Sequence, residues 1–151
     1  MFVSLILTGI LLIISPIVRT TLGPQTDKFG GDKCVIVGHI VCAIGAAIFA
    51  LAPDNTPYGW NIIGGTLIMC TAQGLLNSAV FKWSPKMFGK RTAQVGGTVG
   101  FVGALGGFFI PIALSLLGGG SLSMFLFTFM HCVMGILSFI LKKSEDAKIR
   151  K

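Results

Sequence analysis

The chain has 151 residues, of which 53% are hydrophobic and 11% are charged, and its mean hydropathy is +0.85. A soluble domain usually carries about 25% charged residues, so the composition excludes most soluble enzymes, disordered chains and small disulfide-rich secreted folds. The net charge of +7 would normally suggest nucleic acid or an anionic surface as partner. Here nearly all the charges lie in segments between or after long apolar runs. We therefore expect an all-α membrane protein that lies in a lipid bilayer and binds no nucleic acid.

Five apolar stretches are each long enough for a helix to cross the hydrocarbon core, which takes about 20 residues. The runs are continuous and do not alternate with polar residues, so helices are favoured over a β-barrel. The first run has no basic region before it, which favours a retained span over a cleaved signal peptide. The predicted spans are residues 2–22, 34–52, 60–81, 93–117 and 122–141, followed by a basic tail at 142–151.

The positions of the cations predict the orientation of the chain. Eleven of the twelve Lys and Arg residues lie in the first loop, the third loop and the tail, and none lies in the second or fourth loop. The positive-inside rule places these cations in the cytoplasm, with the N-terminus outside and the C-terminus inside the plasma (inner) membrane. Many transporters are built from repeats of three helices. Five spans are an odd count and not a whole number of such repeats, which predicts that the chain is the end of a longer protein.

The sequence offers no set of residues for catalysis or for a metal site. The four cysteines lie in apolar runs without a C-x-x-C spacing, which favours packing over disulfides or zinc. They are Cys34, Cys42, Cys70 and Cys132. His39 and His131 each stand alone in an apolar span, and the chain has neither paired carboxylates nor a Ser/His/Asp set. We expect no enzyme, no metal and no cofactor.

Arg19 is the one cation outside the predicted loops, and it lies eight residues before Asp27. On a helix this spacing is about 12 Å of rise, enough to carry Arg19 into the inner leaflet. A buried Arg in a membrane usually marks an ion or substrate path, whereas an Arg at the end of a short span can snorkel to the surface. The two alternatives are equally supported by the residues alone.

The segment G-P-Q-T-D-K-F-G-G-D-K, from Gly23 to Lys33, is predicted as a loop between the first two spans. Asp27 can cap a helix end or pair with a cation at a neighbouring helix terminus. Gly30 and Gly31 allow a tight reversal of the chain. An ordinary polar hairpin is the alternative.

The fourth predicted span is rich in glycine. Four glycines recur at steps of four, three and four and form one helical face: Gly96, Gly100, Gly103 and Gly107, with Gly97 and Gly106 beside it. Such a face lets another backbone approach closely, or it leaves room for a substrate. In the third span Gln73 and Asn77 share a face, where amides bond to other helices or to a ligand.

Together these motifs resemble the major facilitator superfamily. The pattern Gly23-x-x-x-Asp27-Lys28-x-Gly30-Gly31-x-Lys33 resembles the loop that follows the second and eighth helices of that superfamily. Three further features resemble the nitrate/nitrite porter family: Arg19 before the loop, the stretch N-S-A-V-F-K-W-S-P at 77–85, and the glycine run at 96–111 with G-A-L-G-G-F-F-I-P. Leu76 and Ser78 depart from the glycines that this family tends to have around the Asn.

The resemblance covers nearly the whole chain, as helices eight to twelve of twelve. It implies a partial C-terminal half of a transporter that moves nitrate or nitrite by alternating access in nitrate assimilation, as a truncated or split porter. The implied substrate-binding residues are Arg19, Asn77, Gly100, Gly103, Gly106 and Gly107. The implied gating-loop residues are Gly23, Asp27, Lys28, Gly30, Gly31 and Lys33.

The resemblance also implies how these residues act. The Arg19 guanidinium would donate two parallel hydrogen bonds to the planar anion, and Asn77 would donate a supporting bond. The glycine face would pack closely and slide, while Asp27 and Lys28 would lock the cytoplasmic side. The implied partners are nitrate or nitrite and either an N-terminal half or a second copy. The alternatives are a porter for another small anion and a non-transporting membrane interaction protein.

Overall fold

The structure is a computed structural model that describes residues 2–52, 59–116 and 120–149. The described side chains lie between residues 13 and 147, without those at 107, 111, 113 and 114. This part of the chain contains helices and no strand. The helices are α1 (Phe2–Phe29), α2 (Gly31–Ala50), α3 (Trp60–Phe88), α4 (Thr92–Leu116) and α5 (Gly120–Ile149), with a 3₁₀ turn at Gly89–Arg91 between α3 and α4.

Three helices continue well beyond the apolar stretches that predict them. α1 runs through most of the segment expected to be a loop, α3 runs to Phe88, and α5 includes most of the expected tail. The end of the fourth predicted span at residue 117 lies outside the described residues. Hydropathy detects only the part of a helix that lies in hydrocarbon. In α5, the Lys, Glu and Ala residues that follow the apolar stretch sustain the helix beyond it.

Glycines with a positive φ angle interrupt the helical path. Gly30 (φ 91°) separates α1 from α2, Gly89 (φ 48°) follows α3, and Gly120 (φ 69°) begins α5. L-residues with a side chain rarely adopt these angles. The prediction of a long loop at 23–33 is therefore wrong, because the reversal takes place at Gly30 alone.

Three helical stretches in the described residues are long and apolar enough to cross a membrane: Gly31–Ala50, Trp60–Ile110 and Gly120–Ala147. The second of these extends over α3 and into α4. Many large apolar side chains on these helices are exposed, including Ile44, Phe129 and Phe139, as expected for surfaces that face lipid. The fold is that of an all-α membrane protein, and the count of five spans stays a prediction.

The described helices pack around α3. α2 lies between α3 and α5, α1 packs on α3, and α4 touches α3 over a short length. The small core between α2 and α3 contains Cys34, Val35, Cys42, Ala72, Leu76, Ala79 and Trp83. Two of the four cysteines are thus packing residues, as the sequence predicts, and all four are free thiols.

Candidate functional site

A cavity of about 500 Å³ lies between α1, α3 and α4. It combines one cation, two amides and one aromatic ring with apolar side chains and glycine backbone. The lining residues are Arg19, Gln73, Leu76, Asn77, Val80, Phe81, Val99, Gly100, Gly103 and Ala104. Four of the six predicted substrate-binding residues, Arg19, Asn77, Gly100 and Gly103, therefore lie around one space.

The position of Arg19 depends on a close contact between α1 and α3. A Cβ atom added at Gly74 would lie 2.6 Å from the Ser15 carbonyl oxygen and 2.8 Å from Cβ of Val18. The missing side chain of Gly74 thus lets α1 approach α3 just before Arg19. Gln73 and Asn77, on the same face of α3, flank this crossing and line the cavity with Arg19.

The guanidinium of Arg19 lies over the ring of Phe81, with Cζ 5.4 Å from the ring centroid. This is a cation–π contact, and it holds the guanidinium on the α3 side of the cavity. The two ion pairs among the described residues, Asp27–Lys82 and Asp32–Lys142, do not involve Arg19. The positive charge therefore has no carboxylate partner in the described part of the chain.

The glycine face of α4 is open in this chain. A Cβ atom added at Gly97, Gly100 or Gly103 would have no neighbour within 4 Å, and one at Gly96 would meet only the Phe81 ring, at 3.9 Å. Within the described residues, this face has room beside it. The expectation that it packs closely against another helix stays a prediction.

The last two predicted substrate-binding glycines lie farther along α4. A Cβ atom at Gly106 would meet only Cδ1 of Ile110, at 3.7 Å in the same helix, and Gly106 does not line the cavity. Gly107 lies in the helix, but its burial is outside what the structure describes. The structure therefore does not bring Gly106 to the cavity, and the role of Gly107 stays a prediction.

The predicted gating residues lie at the junction of α1 and α2. Asp27 forms an ion pair with Lys82, near the end of α3, as expected for a carboxylate facing a neighbouring helix terminus. Beside it, the buried Thr26 hydroxyl donates to the Gly23 carbonyl oxygen at 2.6 Å and lies 3.4 Å from the Ser78 hydroxyl. The segment is thus fixed to α3 through both an ion pair and a buried contact.

The remaining gating residues differ in their surroundings. A Cβ atom at Gly31 would lie 2.7 Å from the Ala79 carbonyl oxygen, so Gly31 allows α2 to start against α3. Lys28 and Lys33 are exposed, and Nζ of Lys28 lies 6.0 Å from the ring centroid of its neighbour Phe29. No carboxylate of the described residues pairs with Lys28, so its expected locking contact is absent there.

Two polar links at the same end of the helices were not expected from the sequence. Nζ of Lys142 lies 2.7 Å from Oδ2 of Asp32, and Trp83 Nε1–H donates to Oε2 of Glu145 at 2.8 Å. The start of the predicted basic tail is a continuation of α5, and these two links join it to α2 and α3. The available signal was the helical spacing of Lys142 and Glu145, which puts both on one face.

The two histidines that stand alone in the sequence meet in the structure. Nδ1 of His39 lies 3.0 Å from Nδ1 of His131, and Nε2 of His131 lies 3.3 Å from Sγ of Cys42. The interpretation of two isolated histidines is therefore wrong. Their separation by 92 positions, on α2 and α5, left no local signal of the contact. Among the described residues no group of three His, Cys, Asp or Glu side chains is placed to hold a metal ion.

The fold and its apolar surface define an integral membrane protein with a cationic cavity between helices. The chain is similar to proteins named probable nitrate transporter NarT. It is 29% identical to the one from Staphylococcus haemolyticus over 145 residues, which are 93% of this chain and 37% of that protein. The identity is 28% over 144 residues for Staphylococcus epidermidis, covering 93% and 36% of the two chains.

A third relative, from Staphylococcus carnosus, is 32% identical over 107 residues, which are 71% of this chain and 26% of that protein. The chain thus spans about a third of the length of the relatives that it matches over most of its own. No protein-family profile and no solved structure matches it. The similarity to named nitrate transporters confirms the resemblance to nitrate porters.

Proposed function

We propose that this chain transports nitrate or nitrite across the plasma membrane by alternating access, as a truncated or split porter that acts with an N-terminal half or a second copy. The observation that carries the proposal is the cavity itself. It brings the Arg19 guanidinium, which has no carboxylate partner among the described residues, to Asn77 and the open backbone of Gly100 and Gly103. The names of the relatives support nitrate as the substrate.

The chemistry of these residues suits a small planar oxyanion. A guanidinium is permanently charged and presents two parallel N–H groups that match two oxygen atoms of nitrate. The side-chain amide of Asn77 supplies a further N–H donor. Backbone N–H groups within α4 are already bonded along the helix, so Gly100 and Gly103 contribute space rather than donors.

The open face of α4 supports the need for a second half. α4 touches α3 over a short length, and a Cβ atom at Gly97, Gly100 or Gly103 would meet no described atom within 4 Å. In a porter, two helix bundles rock about a site near the midplane. We place the second bundle beside Gly100 and Gly103, where it would close the cavity around the anion.

The polar links among α1, α2, α3 and α5 support a lock at one end of the bundle. The Asp27–Lys82 and Asp32–Lys142 pairs lie at this end, with the Trp83–Glu145 hydrogen bond. The segregation of the cations supports a cytoplasmic location for this end, with the N-terminus outside and the C-terminus inside. Breaking and remaking such links would accompany the change between outward and inward access.

Uptake of labelled nitrate and nitrite tests the proposal. The chain would be expressed alone and together with a candidate N-terminal half, in cells that lack nitrate uptake of their own, with its amount in the membrane measured. Uptake only with the partner supports a split porter, and uptake by the chain alone supports self-assembly. No uptake in either case, with both proteins in the membrane, would contradict the proposal. Uptake of another small anion instead would support the alternative substrate class, because a guanidinium does not by itself select among small oxyanions.

A further inference from the structure

We propose that His39 and His131 form a single proton-binding site between α2 and α5, a site that accepts one proton and not two. It is separate from the Arg19 cavity, which is lined by α1, α3 and α4. The proposal rests on the geometry of the two rings and does not depend on nitrate transport.

The two rings are held together by the packing of their helices. The ring centroids lie 5.3 Å apart, and the Phe127 ring contacts His131 edge-on at 4.6 Å between centroids. A Cβ atom added at Gly135 would lie 3.4 Å from Cβ of His39. α5 therefore packs against α2 at His39, with Gly135 facing it within van der Waals distance.

The contact between the two rings holds one proton. Two imidazole nitrogens 3.0 Å apart form an N–H···N hydrogen bond, in which one ring donates and the other accepts. When both rings are neutral, either His39 donates and Nε2–H of His131 faces the Cys42 sulfur, or His131 donates and its Nε2 accepts the Cys42 thiol proton. Both arrangements satisfy the observed distances.

Adding one proton leads from both arrangements to the same cation. Each Nε2 then carries a hydrogen, and the third hydrogen lies between the two Nδ1 atoms. The proton comes from hydronium in the solvent, which leaves water, and the charge of the pair rises from zero to one. A second proton would put hydrogens on both Nδ1 atoms, so that two donors would face each other and the contact would break.

The surroundings provide no countercharge for a second proton. The titratable groups near the pair are thiols: Cys42 on α2, Cys70 of α3 close to Cys42, and Cys132 beside His131 on α5. No Asp, Glu, Lys or Arg of the described residues interacts with either ring. A charge in an apolar region is costly. Among the described residues, sharing the charge over the two rings and the contact of His131 Nε2–H with the Cys42 sulfur reduce that cost.

A metal ion does not fit the same atoms. His39 and Cys42 contact different nitrogens of His131, and these nitrogens point to opposite sides of the ring. One ion therefore cannot be bound by all three side chains as they are placed. The geometry favours a proton over a metal ion.

Nitrogen NMR of the whole chain in detergent micelles tests the proposal. The chain has only two histidines, so labelling with ¹⁵N-histidine reports on this pair alone. We expect a scalar coupling between the two Nδ1 atoms and the uptake of one proton per chain in a single step that moves the signals of both rings. The absence of the coupling, or the uptake of two protons in separate steps, would overturn the proposal.

A variant at His39 distinguishes two histidines that titrate as one coupled pair from two histidines that are merely close to each other. In His39→Gln the titration midpoint of His131 should move by about one pH unit or more, since coupled groups titrate together. In the control Cys132→Ser, which leaves the ring contact unchanged, both rings should titrate as in the parent. An unmoved midpoint for His131 in the folded His39→Gln variant would overturn the proposal. If that variant does not fold, the presence or absence of the scalar coupling between the two Nδ1 atoms of the unaltered chain tests the proposal.

Discussion

The guanidinium of Arg19 is positioned by a residue that has no side chain. Gly74 on α3 lets the Ser15–Val18 turn of α1 approach closely, and Phe81, two turns later on α3, supports the guanidinium. The sequence predicts the importance of Arg19 from its place in an apolar span. It does not predict the Phe81 contact, because that contact depends on how α1 crosses α3.

Gly103 provides the first test at the scale of single residues. In Gly103→Leu we expect normal folding, because a Cβ atom there meets nothing within 4 Å. We also expect nitrate uptake to fall about tenfold or more, a loss of about 1.4 kcal/mol, because the leucine side chain enters the cavity beside Arg19. Uptake by the complete assembly, with the amount of protein in the membrane measured in parallel, checks both parts.

Gly97→Leu is the matched control for this change. Gly97 lies on the same helix with equally open surroundings, but it does not line the cavity. Its variant should retain uptake. Full uptake by Gly103→Leu, or an equal loss in both variants, would mean that the cavity is not the anion path.

At the scale of helices, the glycines divide into two groups. Those on α2 and α3, apart from Gly64, allow close contacts: a Cβ atom at Gly65 would lie 2.6 Å from the Gly45 carbonyl oxygen and 2.8 Å from the Phe49 nitrogen. Those of α4 that surround Gly100 are open. The dense glycine run in α4 is conspicuous in the sequence, whereas the close contacts between helices lie at scattered glycines of α2 and α3. Sequence spacing cannot show this, because it does not show which helices are neighbours.

A pair of alanine variants tests this division. Gly65→Ala should lower the free energy of unfolding by about 1–3 kcal/mol, the usual cost of overpacking, because backbone atoms have to move. Gly97→Ala should leave stability unchanged or raise it by up to about 1 kcal/mol, because alanine favours a helix. Thermal unfolding in detergent, followed by circular dichroism, gives both values. Equal stability of the two variants would contradict the packing described for α2 and α3.

For the whole molecule, the polar links at one end join all the helices except α4. Asp27–Lys82 joins α1 to α3, Asp32–Lys142 joins α2 to α5, and Trp83–Glu145 joins α3 to α5. The Asp27–Lys82 pair is exposed, and an exposed ion pair contributes little stability, about 0–1 kcal/mol, which suits a contact that is broken and remade. The apolar runs and the cation positions predict where the helices lie and which end is basic.

The contacts across helices could not be predicted in the same way. A membrane span is a local property, because it needs only about 20 apolar residues in succession. The Trp83–Glu145 bond and the His39–His131 contact join residues 62 and 92 positions apart. They exist because α5 packs on α2, which no local pattern specifies.

The Trp83–Glu145 link can be tested through the indole N–H. In Glu145→Leu we expect this hydrogen to exchange with deuterium roughly tenfold faster, since the loss of one hydrogen bond costs about 1 kcal/mol or more. Glu145→Gln keeps an acceptor and should exchange at nearly the parental rate. Trp60 is the second tryptophan, and because it is 86% exposed its signal is distinguishable.

The exposed neighbour Asp146 supplies the control for this measurement. Asp146→Leu removes a carboxylate from the same turn of α5 without removing the acceptor of Trp83. Slow exchange should persist in that variant. Slow exchange in Glu145→Leu as well would show that α5 is not tied to α3 at this position.

Nitrate uptake by Arg19→Lys in the complete assembly, compared with uptake by Arg91→Lys, tests most directly whether Arg19 binds the anion. Lysine keeps the charge but cannot donate two parallel hydrogen bonds to one planar anion. Arg91 is an exposed cation in the turn before α4, outside the cavity. We predict that Arg19→Lys loses at least about tenfold in uptake at an unchanged amount of membrane protein, whereas Arg91→Lys retains it. Full uptake by Arg19→Lys would contradict the assignment of Arg19 as the anion-binding residue.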